Sequence, residues 1–504
     1  MQFILNALDK GLMTPIKSIK KRYIPLLCIY FAFGAQGIAT IALTFWEKTE
    51  LTLSTEQFLV ISAWVSFPWT MKMIFGQLVD VFPLFGSRRK SYIYVGASFV
   101  ALQFLLLYGL ALKWGPMMNL ANEFQWYLLA ALVGVVGFVI QDVTADTMST
   151  EVVDRTQKPK ALQKEITLVQ ILGRLSLMIA IAVVSGLGGW LASVLPYEQV
   201  FLIALIVPVI SILGALFVKL DTKIPTDIKF DPFVLGGGLA FAVFSILMAF
   251  NQVPYSQEIV FGVSLTLLGF LLWHLIKDQS KSEQKLIIFA LLTIFLFRAT
   301  PSVGPGLPWW SIDVLGFDEA FFGVLKQIGA LTALAVLWFS SDFIASKSIR
   351  WVLLFLIATE FIISLPELGL YYGVHEMIGV SAHTIALFDT ALESPLVHIS
   401  MIPMLALIAF YAPAGKRGTW FAVAGSFMNL ALTAGTLGTK YLNKIFIVNR
   451  EILDDVGQII TAQDYSQLGW LLLIVITIST LMPLIAVLCL LNKKVLGQKS
   501  GNLV

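Results

Sequence analysis

Apolar runs alternate with short polar segments along the whole chain. Fourteen runs of about 20 residues, rich in Leu, Ile, Val, Phe and Ala, are separated by charged residues, Pro or Gly. A run of this length is what an α-helix needs to cross the hydrocarbon core of a bilayer. The pattern therefore predicts an all-α polytopic membrane protein with fourteen transmembrane helices. The predicted spans lie near 23–46, 55–80, 91–113, 124–152, 161–190, 198–220, 232–251, 257–276, 286–311, 318–341, 349–372, 379–411, 418–443 and 466–492.

Composition agrees with a membrane location. Hydrophobic residues make up 58% of the chain and charged residues only 13%, with a mean hydropathy of +0.84. Soluble globular proteins are about a quarter charged. The net charge of +3 gives no support for a nucleic-acid partner, and the lipid bilayer is the expected surrounding. Cys28 and Cys489 lie in apolar runs and suggest neither a disulfide framework nor a metal site.

Basic residues predict the orientation of the chain. If the N-terminus is cytoplasmic, 25 of the 34 Lys and Arg residues fall in cytoplasmic segments, as the positive-inside rule requires. The opposite side holds only Lys48, Lys113, Lys444 and Arg450. Both termini are therefore predicted to be cytoplasmic.

A weak internal repeat predicts two similar halves. GQLVDVFPLFGSRRKSY follows the second span and SSDFIASKSIRW follows the tenth, and each places an Asp at a helix end before basic residues. Such repeats are how secondary transporters build a midplane binding site. We expect two six-helix bundles that are joined by two extra helices. The predicted regions are a cytoplasmic arm (1–22), a first bundle (23–220), a linker with two helices (221–285), a second bundle (286–492) and a cytoplasmic tail (493–504).

Paired acids in the fourth span are the most informative local feature. Asp142 and Asp146 lie in the apolar stretch GVVGFVIQDVTADTMSTEVV, where each carboxylate costs roughly 2.5 to 3.5 kcal/mol at a bilayer centre. Positions i and i+4 share a helix face, so both acids and the adjacent Gln141 are expected to point toward a neighbouring helix. The twelfth span repeats the spacing with Asp389 and Glu393. These acids are candidate proton carriers, counter-ions of a buried base, or hydrogen-bond acceptors for a substrate. In the alternative interpretation, Arg174 or Lys72 permanently neutralises Asp142 and Asp146.

Buried cations are the candidates for binding an anion. Arg174 in the fifth span and Arg298 in the ninth place one guanidinium in each half, and Lys72 lies in the second span. Each arginine could equally lock helices within its own bundle. Trp309 lies at the end of the broken segment ATPSVGPGLPWW, which is either part of the substrate path or a kinked helix before an interfacial anchor. Lys326 and Lys440 are placed nearer helix ends, where lysines can snorkel to an interface.

The loop after the second span predicts a gating latch. Asp80 ends a helix, and the basic pair Arg88 and Arg89 precedes the next one, an arrangement that resembles the cytoplasmic loop signature of the major facilitator superfamily. Asp342 and Arg350 echo it in the second half. Charge pairs at these positions would break during alternating access. The competing explanation is that the basic residues only determine topology. Glu151, near the cytoplasmic end of its helix, is expected to be a salt-bridge partner.

Other kinds of chemistry have no residues to carry them. The chain has no GxxxxGK[ST] phosphate loop, no GxSxG elbow and no HExxH pair, so we expect no enzyme activity, cofactor or metal. Transport would then be driven by an ion gradient. Titratable carboxylates favour protons over sodium.

Several segments together resemble the folate-biopterin transporter family within the major facilitator superfamily. FPWTMKMIFGQLVDVFPLFGSRRKSYI carries P-W-x-x-K-x-x-x-G-x-x-x-D followed by F-G-x-R-R-x-S-Y, and VIQDVTADTMSTEVV is similar to the family's Q-D-V-x-x-D. ATPSVGPGLPWWSIDVLGF and DYSQLGWLLLIVITISTLMPL extend the resemblance through the second half. The resemblance implies proton-coupled uptake of a folate or pterin. The family pattern marks Lys72, Asp80, Arg88, Arg89, Gln141, Asp142, Asp146 and Arg174.

Two features leave the substrate open. The family usually has twelve spans, and the combination of Q-D-x-x-x-D with F-G-x-R-R is also similar to the muropeptide permease and acetyl-CoA transporter families. Fourteen spans are typical of muropeptide permeases. The prediction is a monomeric, proton-coupled transporter of a small anionic metabolite in a bacterial inner (plasma) membrane. The alternatives are a muropeptide or siderophore-like permease and a membrane assembly factor that does not transport.

Overall fold

The computed structural model describes residues 19–87, 89–153, 159–216, 232–251, 253–345, 348–410, 417–454 and 457–491. Most of the predicted N-terminal arm and the predicted C-terminal tail therefore lie outside the described residues. The helices of the first half are α1 (Ile24–Ala35), α2 (Gly37–Thr49), α3 (Thr55–Thr70), α4 (Lys72–Val81), α5 (Lys90–Ala111), α6 (Gly115–Met118), α7 (Glu123–Glu151), α8 (Pro159–Val194), α9 (Tyr197–Ile203) and α10 (Ile206–Leu216). A 3₁₀ turn, Lys21–Tyr23, precedes α1.

The second half follows two intervening helices. The intervening helices are α11 (Pro232–Phe250) and α12 (Ser256–Ile276). The second half contains α13 (Lys281–Arg298), α14 (Gly306–Asp313), α15 (Glu319–Ala345), α16 (Ile349–Ile363), α17 (Leu365–Tyr371), α18 (Val374–Met377), α19 (Ala382–Phe410), α20 (Arg417–Ile445) and α21 (Leu468–Leu490). Between α20 and α21, the short strands β1 (Ile452–Leu453) and β2 (Ile459–Thr461) pair antiparallel as a hairpin.

Every predicted span contains a helix, and several spans are broken in two. Pro68 lies three residues before the break at Met71 that separates α3 from α4. The Pro and Gly cluster after Arg298 interrupts the ninth span, as predicted, and Gly304 adopts a left-handed φ of +85° there. Among the described residues, nine helical stretches are long and apolar enough to cross a membrane. The chain is thus multi-pass, and the count of fourteen spans stays a prediction.

Two seams join the halves. α8 packs against α15, and α3 packs against α20. The end of the helices that holds the β1–β2 hairpin, the loop 50–54 and α14 is called here the hairpin face, and the end that holds Tyr23 and Glu151 is called the N-terminal face. The largest apolar core crosses between the halves at the hairpin face, with Trp46 and Phe58 from the first half and Trp309 and Val448 from the second.

The intervening helices lie beside the seam between α3 and α20. Gln257 of α12 donates from Nε2 to the carbonyl oxygen of Val60 in α3, at 2.8 Å. Lys440 of α20 donates from Nζ to Gln257 Oε1 at 2.6 Å and to Glu258 Oε1 at 2.8 Å. Lys440 is only 8% exposed, so the prediction that it snorkels to an interface is wrong. Its hydrogen bonds instead attach α12 to α20, and the hydrogen bond of Gln257 attaches α12 to α3.

Candidate functional site

Lys72 forms an ion-pair cluster with the two acids of the fourth span. The break at Met71 places Lys72 at the first position of α4, and α7 presents Asp142 and Asp146 one turn apart. Lys72 Nζ lies 2.6 Å from Asp142 Oδ2 and 2.6 Å from Asp146 Oδ2. Tyr30 of α1 donates its hydroxyl hydrogen to Asp146 Oδ1 at 2.9 Å. The structure thus brings together three of the predicted site residues.

One cation shared by two carboxylates leaves one negative charge to balance. Arg174 of α8 has an exposed side chain and interacts electrostatically with Asp142 and Tyr30. A second positive charge near the cluster can compensate the remaining carboxylate, or it can bind an anion that enters beside it. A proton on either Asp would release Lys72 from one of its two partners, so the cluster can respond to protonation by changing the contact between α4 and α7.

Gln141 lies away from this cluster. Its Nε2 donates to the carbonyl oxygen of Ile93 at 3.4 Å, and its Oε1 accepts from Ser211 Oγ at 3.2 Å. Gln141 therefore links α5, α7 and α10 inside the first half. The expectation that it shares the face of the acids does not hold, because neighbouring residues on a helix point about 100° apart.

Arg298 and Trp309 also contact protein rather than open space. Arg298 Nε donates to the carbonyl oxygen of Met428 at 3.3 Å, which ties α13 to α20 within the second half. Trp309 is 1% exposed and packs edge-on against Phe58 with ring centroids 5.5 Å apart. The guanidinium carbon of Arg450 lies 5.3 Å from the Trp309 ring centre. Trp309 is thus part of the contact between the halves at the hairpin face.

Four carboxylates gather in the second half. Asp389 and Glu393 of α19 interact electrostatically with Glu367 of α17, and Glu393 also does so with Glu360 of α16. Asp389 is 8% exposed, and its Oδ1 has no hydrogen-bond partner among the described residues. The repeated acid pair therefore has a different environment from Asp142 and Asp146, which share a lysine.

Glu360 and Glu367 were missed at the sequence level. Each is a lone carboxylate in the apolar stretch IATEFIISLPELGLYY, which is the same signal that singled out Asp142. Their 7-residue separation did not match the i, i+4 spacing, and the break at Ser364 between α16 and α17 changes their relative direction.

Arg89 forms the predicted basic contact at the N-terminal face, but within one half. Its Nε donates to Glu151 Oε2 at 2.9 Å, its Nη2 to Glu151 Oε1 at 2.6 Å and its Nη1 to the carbonyl oxygen of Val79 at 2.8 Å. Glu151 is therefore the expected salt-bridge partner. Asp80 lies in the last turn of α4 and Asp342 near the end of α15, where their side chains are not described, and Arg88 is outside the described residues. Arg350 lies in the first turn of α16, with Nε buried and without a hydrogen-bond partner among the described residues.

Arg89→Lys is expected to lower the thermal stability of the protein. Lysine cannot reproduce the planar two-point contact with Glu151, so hydrogen bonds to a charged group worth about 1.5–3 kcal/mol are lost in part. Thermal unfolding of the purified protein in detergent measures the effect. Arg350→Lys, at the corresponding position of the second half, is the matched control. An equal shift of the melting temperature in both variants would show that the Arg89 contact is not specific.

Polar contacts close the two halves together at the hairpin face. The guanidinium of Arg450, after α20, donates to the carbonyl oxygens of Lys48, of Leu51 at 2.5 Å and of Leu53 at 3.2 Å. Four further contacts join the halves there: Lys48 with Asp313, Lys444 Nζ with Glu56 Oε1 at 2.7 Å, Tyr197 OH with Glu319 Oε1 at 2.9 Å, and Thr55 Oγ1 with the carbonyl oxygen of Val448 at 2.9 Å. This face is closed in the structure.

A cavity of about 320 Å³ lies between the halves. Lining side chains come from α8 (Met178 and Ile181), α15 (Phe322 and Lys326) and α19 (Thr390 and Ser394). Helices of both halves therefore line a space large enough for one small molecule.

Two helical halves that meet at one face, with a cavity between them, are also found in solved structures. A crystal structure of a POT family transporter in complex with a thioalcohol-conjugated peptide matches with a TM-score of 0.64 at 12% identity, covering 94% of this chain and 98% of that one. A crystal structure of the nucleoside transporter NupG matches with a TM-score of 0.58 at 12% identity, covering 94% and 100%. At this level of identity the matches show a shared fold, that of a multi-pass helical membrane protein.

The chain belongs to the BT1 family, whose sequence profile matches residues 34–502. A folate-biopterin transporter of Synechocystis sp. is 24% identical over 468 residues, covering 91% of this chain and 79% of that protein. Probable folate-biopterin transporter 4 of Arabidopsis thaliana is 24% identical, covering 82% and 86%, and folate transporter 2 of Plasmodium falciparum is 21% identical, covering 89% and 85%. The predicted family resemblance is confirmed.

Proposed function

We propose that this chain is a proton-coupled secondary transporter that moves a folate or pterin by alternating access. The observation that carries the proposal is the cluster in which Lys72 is shared by Asp142 and Asp146 between two helix segments. Family membership and the names of the related proteins support the substrate class. We place the protein in a plasma membrane with both termini cytoplasmic.

The closed hairpin face supports alternating access. In the part of the chain that the structure describes, most polar contacts between the halves lie at this face, from Arg450 to Tyr197. Two others lie deeper, where Gln327 donates to the carbonyl oxygen of Ala182 and Asn429 to that of Trp69. A transporter closed at one face opens at the other. With the N-terminal face on the cytoplasmic side, the closed hairpin face supports an inward-facing state.

The acids supply the proposed coupling. A proton on Asp142 or Asp146 weakens its contact with Lys72, and the carboxylates Asp389 and Glu393 have no salt-bridge partner among the described residues. Protonation of Asp389 or Glu393 therefore removes an uncompensated negative charge before the two halves move relative to each other. Arg174 offers a cation to the anionic tail of a folate, whereas Arg298 ties α13 to α20 through the carbonyl oxygen of Met428.

Uptake of radiolabelled folate and biopterin into proteoliposomes tests the proposal. An inward-directed proton gradient is expected to stimulate uptake several-fold, because protons and substrate enter together. Asp389→Asn combined with Glu393→Gln is expected to remove that stimulation while leaving substrate exchange. Glu376→Gln changes an exposed carboxylate of the same half and is the control. Uptake that ignores the gradient would contradict the coupling, and a protein that moves no pteridine would contradict the substrate class.

A further inference from the structure

A lysine lines the cavity between the halves. Lys326 of α15 is partly buried there, beside Thr390 and Ser394 of α19, with Met178 and Ile181 of α8 on the other side. The wall therefore combines one ammonium group, two hydroxyl groups and apolar side chains contributed by both halves.

The position of this wall places it inside the membrane. Lys326 lies seven residues beyond the first residue of α15, and Thr390 lies eight residues beyond the first residue of α19. At 1.5 Å per residue, both lie roughly 10–12 Å from the hairpin-face ends of their helices. Lys326 was predicted to snorkel near a helix end, and the cavity instead surrounds it well within the bundle. Lys326 is thus about a quarter of the way along the 27-residue α15, between the hairpin face and the midplane at which secondary transporters bind their substrates.

Lys326 differs from the other buried cations in what surrounds it. Lys72 pairs with two aspartates and Lys440 with Glu258. Among the described residues, no carboxylate lies within ion-pair distance of Lys326 Nζ. Glu47 interacts with Lys326 electrostatically, but its Oε1 accepts the hydroxyl hydrogen of Tyr127 instead.

A charge without a partner at membrane depth is costly, and a bound anion offsets that cost. An ammonium group with two hydroxyl donors suits the oxygens of a carboxylate. Phe322, in the same wall, offers an aromatic surface next to the charge. The cavity of about 320 Å³ falls within the range of small-molecule sites.

We propose that Lys326, with Thr390 and Ser394, binds a carboxylate of a transported folate. This inference rests on the proposed function and adds a property to it. The protein should bind carboxylate-bearing folates more tightly than uncharged pterins of similar ring structure, because only the former can pair with the ammonium group.

Equilibrium binding to the purified, full-length protein tests this assignment with folic acid and uncharged pterin as probes. Lys326→Gln is expected to weaken folic acid binding by about tenfold or more and to leave pterin binding within about twofold. Lys326→Arg keeps the positive charge and should retain most of the affinity for folic acid. Lys281→Gln removes an exposed lysine at the start of α13 and should change neither affinity.

The possible results separate the inference from the proposed function. Unchanged folic acid binding in Lys326→Gln, or an equal loss for both compounds, overturns the assignment of Lys326 while wild-type binding still supports the function. Wild-type protein that binds neither compound contradicts the proposed function and this inference together. If Lys326→Gln fails to fold, the double variant Thr390→Val, Ser394→Ala keeps the charge and must still weaken folic acid binding more than pterin binding.

Discussion

Lys72→Gln is expected to abolish uptake and to reduce the free energy of unfolding by about 1–3 kcal/mol, less than for a fully buried ion pair because the Asp146 side chain is 46% exposed. The substitution leaves Asp142 and Asp146 one turn apart without their shared cation, which lies 2.6 Å from each. The two carboxylates then repel each other in a poorly solvated environment. Thermal unfolding and uptake into proteoliposomes measure the two effects on the same preparation.

A double variant separates the coupling role of the cluster from a structural one. Lys72→Gln with Asp142→Asn leaves a single acid, Asp146, which still accepts the hydrogen bond from Tyr30. We expect this protein to regain much of the lost stability but not gradient-driven uptake. Recovery of both would mean that the charges only hold α4 and α7 together. Wild-type uptake in Lys72→Gln would refute the coupling role directly, and the exposed Lys281→Gln provides the control.

Gly323→Leu is expected to lower uptake by at least about tenfold by preventing closure at the hairpin face. α8 and α15 approach each other there through glycines. A Cβ atom on Gly323 would lie 2.9 Å from Gly189 Cα and 3.1 Å from the carbonyl oxygen of Ser185. These are backbone atoms, which cannot rotate away as a flexible side chain can. In this variant each half should keep its fold, while α8 and α15 remain separated near the hairpin face.

Spin labels report that opening independently of transport. Val194, at the end of α8, and Val314, after α14, are both exposed and lie in opposite halves at the hairpin face. Pulsed electron paramagnetic resonance should give a longer distance between labels at these positions in Gly323→Leu than in the parent. Gly262→Leu is the control, because a Cβ atom on Gly262 meets nothing within 4 Å. An unchanged distance together with unchanged uptake would show that this contact is not the gate.

The sequence predicted those parts of the site in which the helix period alone determines which residues share a face. Asp142 and Asp146 were expected on one face because i and i+4 positions align, and Lys72 was one of two expected partners. Gln141 was wrongly assigned to that face, since the adjacent position turns toward α5 and α10. Glu360 and Glu367 reach Asp389 and Glu393 only through the packing of α16, α17 and α19, which no local spacing encodes.

The apolar runs of the sequence were sufficient to identify a helical membrane protein. The helix breaks near Met71 and Gly304 followed from nearby proline and glycine residues. The order of the motifs indicated the family. A segment inside the membrane must satisfy its backbone hydrogen bonds within itself, which makes it a helix. The helical class and the helix breaks therefore depend on short stretches of sequence. Only the tertiary structure decided which cations are paired. Lys72, Lys326 and Lys440 are alike as lysines in apolar surroundings, yet one meets two aspartates, one lines a cavity and one holds α12. The reason is that a buried charge is defined by its neighbours from distant segments, and helix packing alone brings those neighbours within a few ångströms.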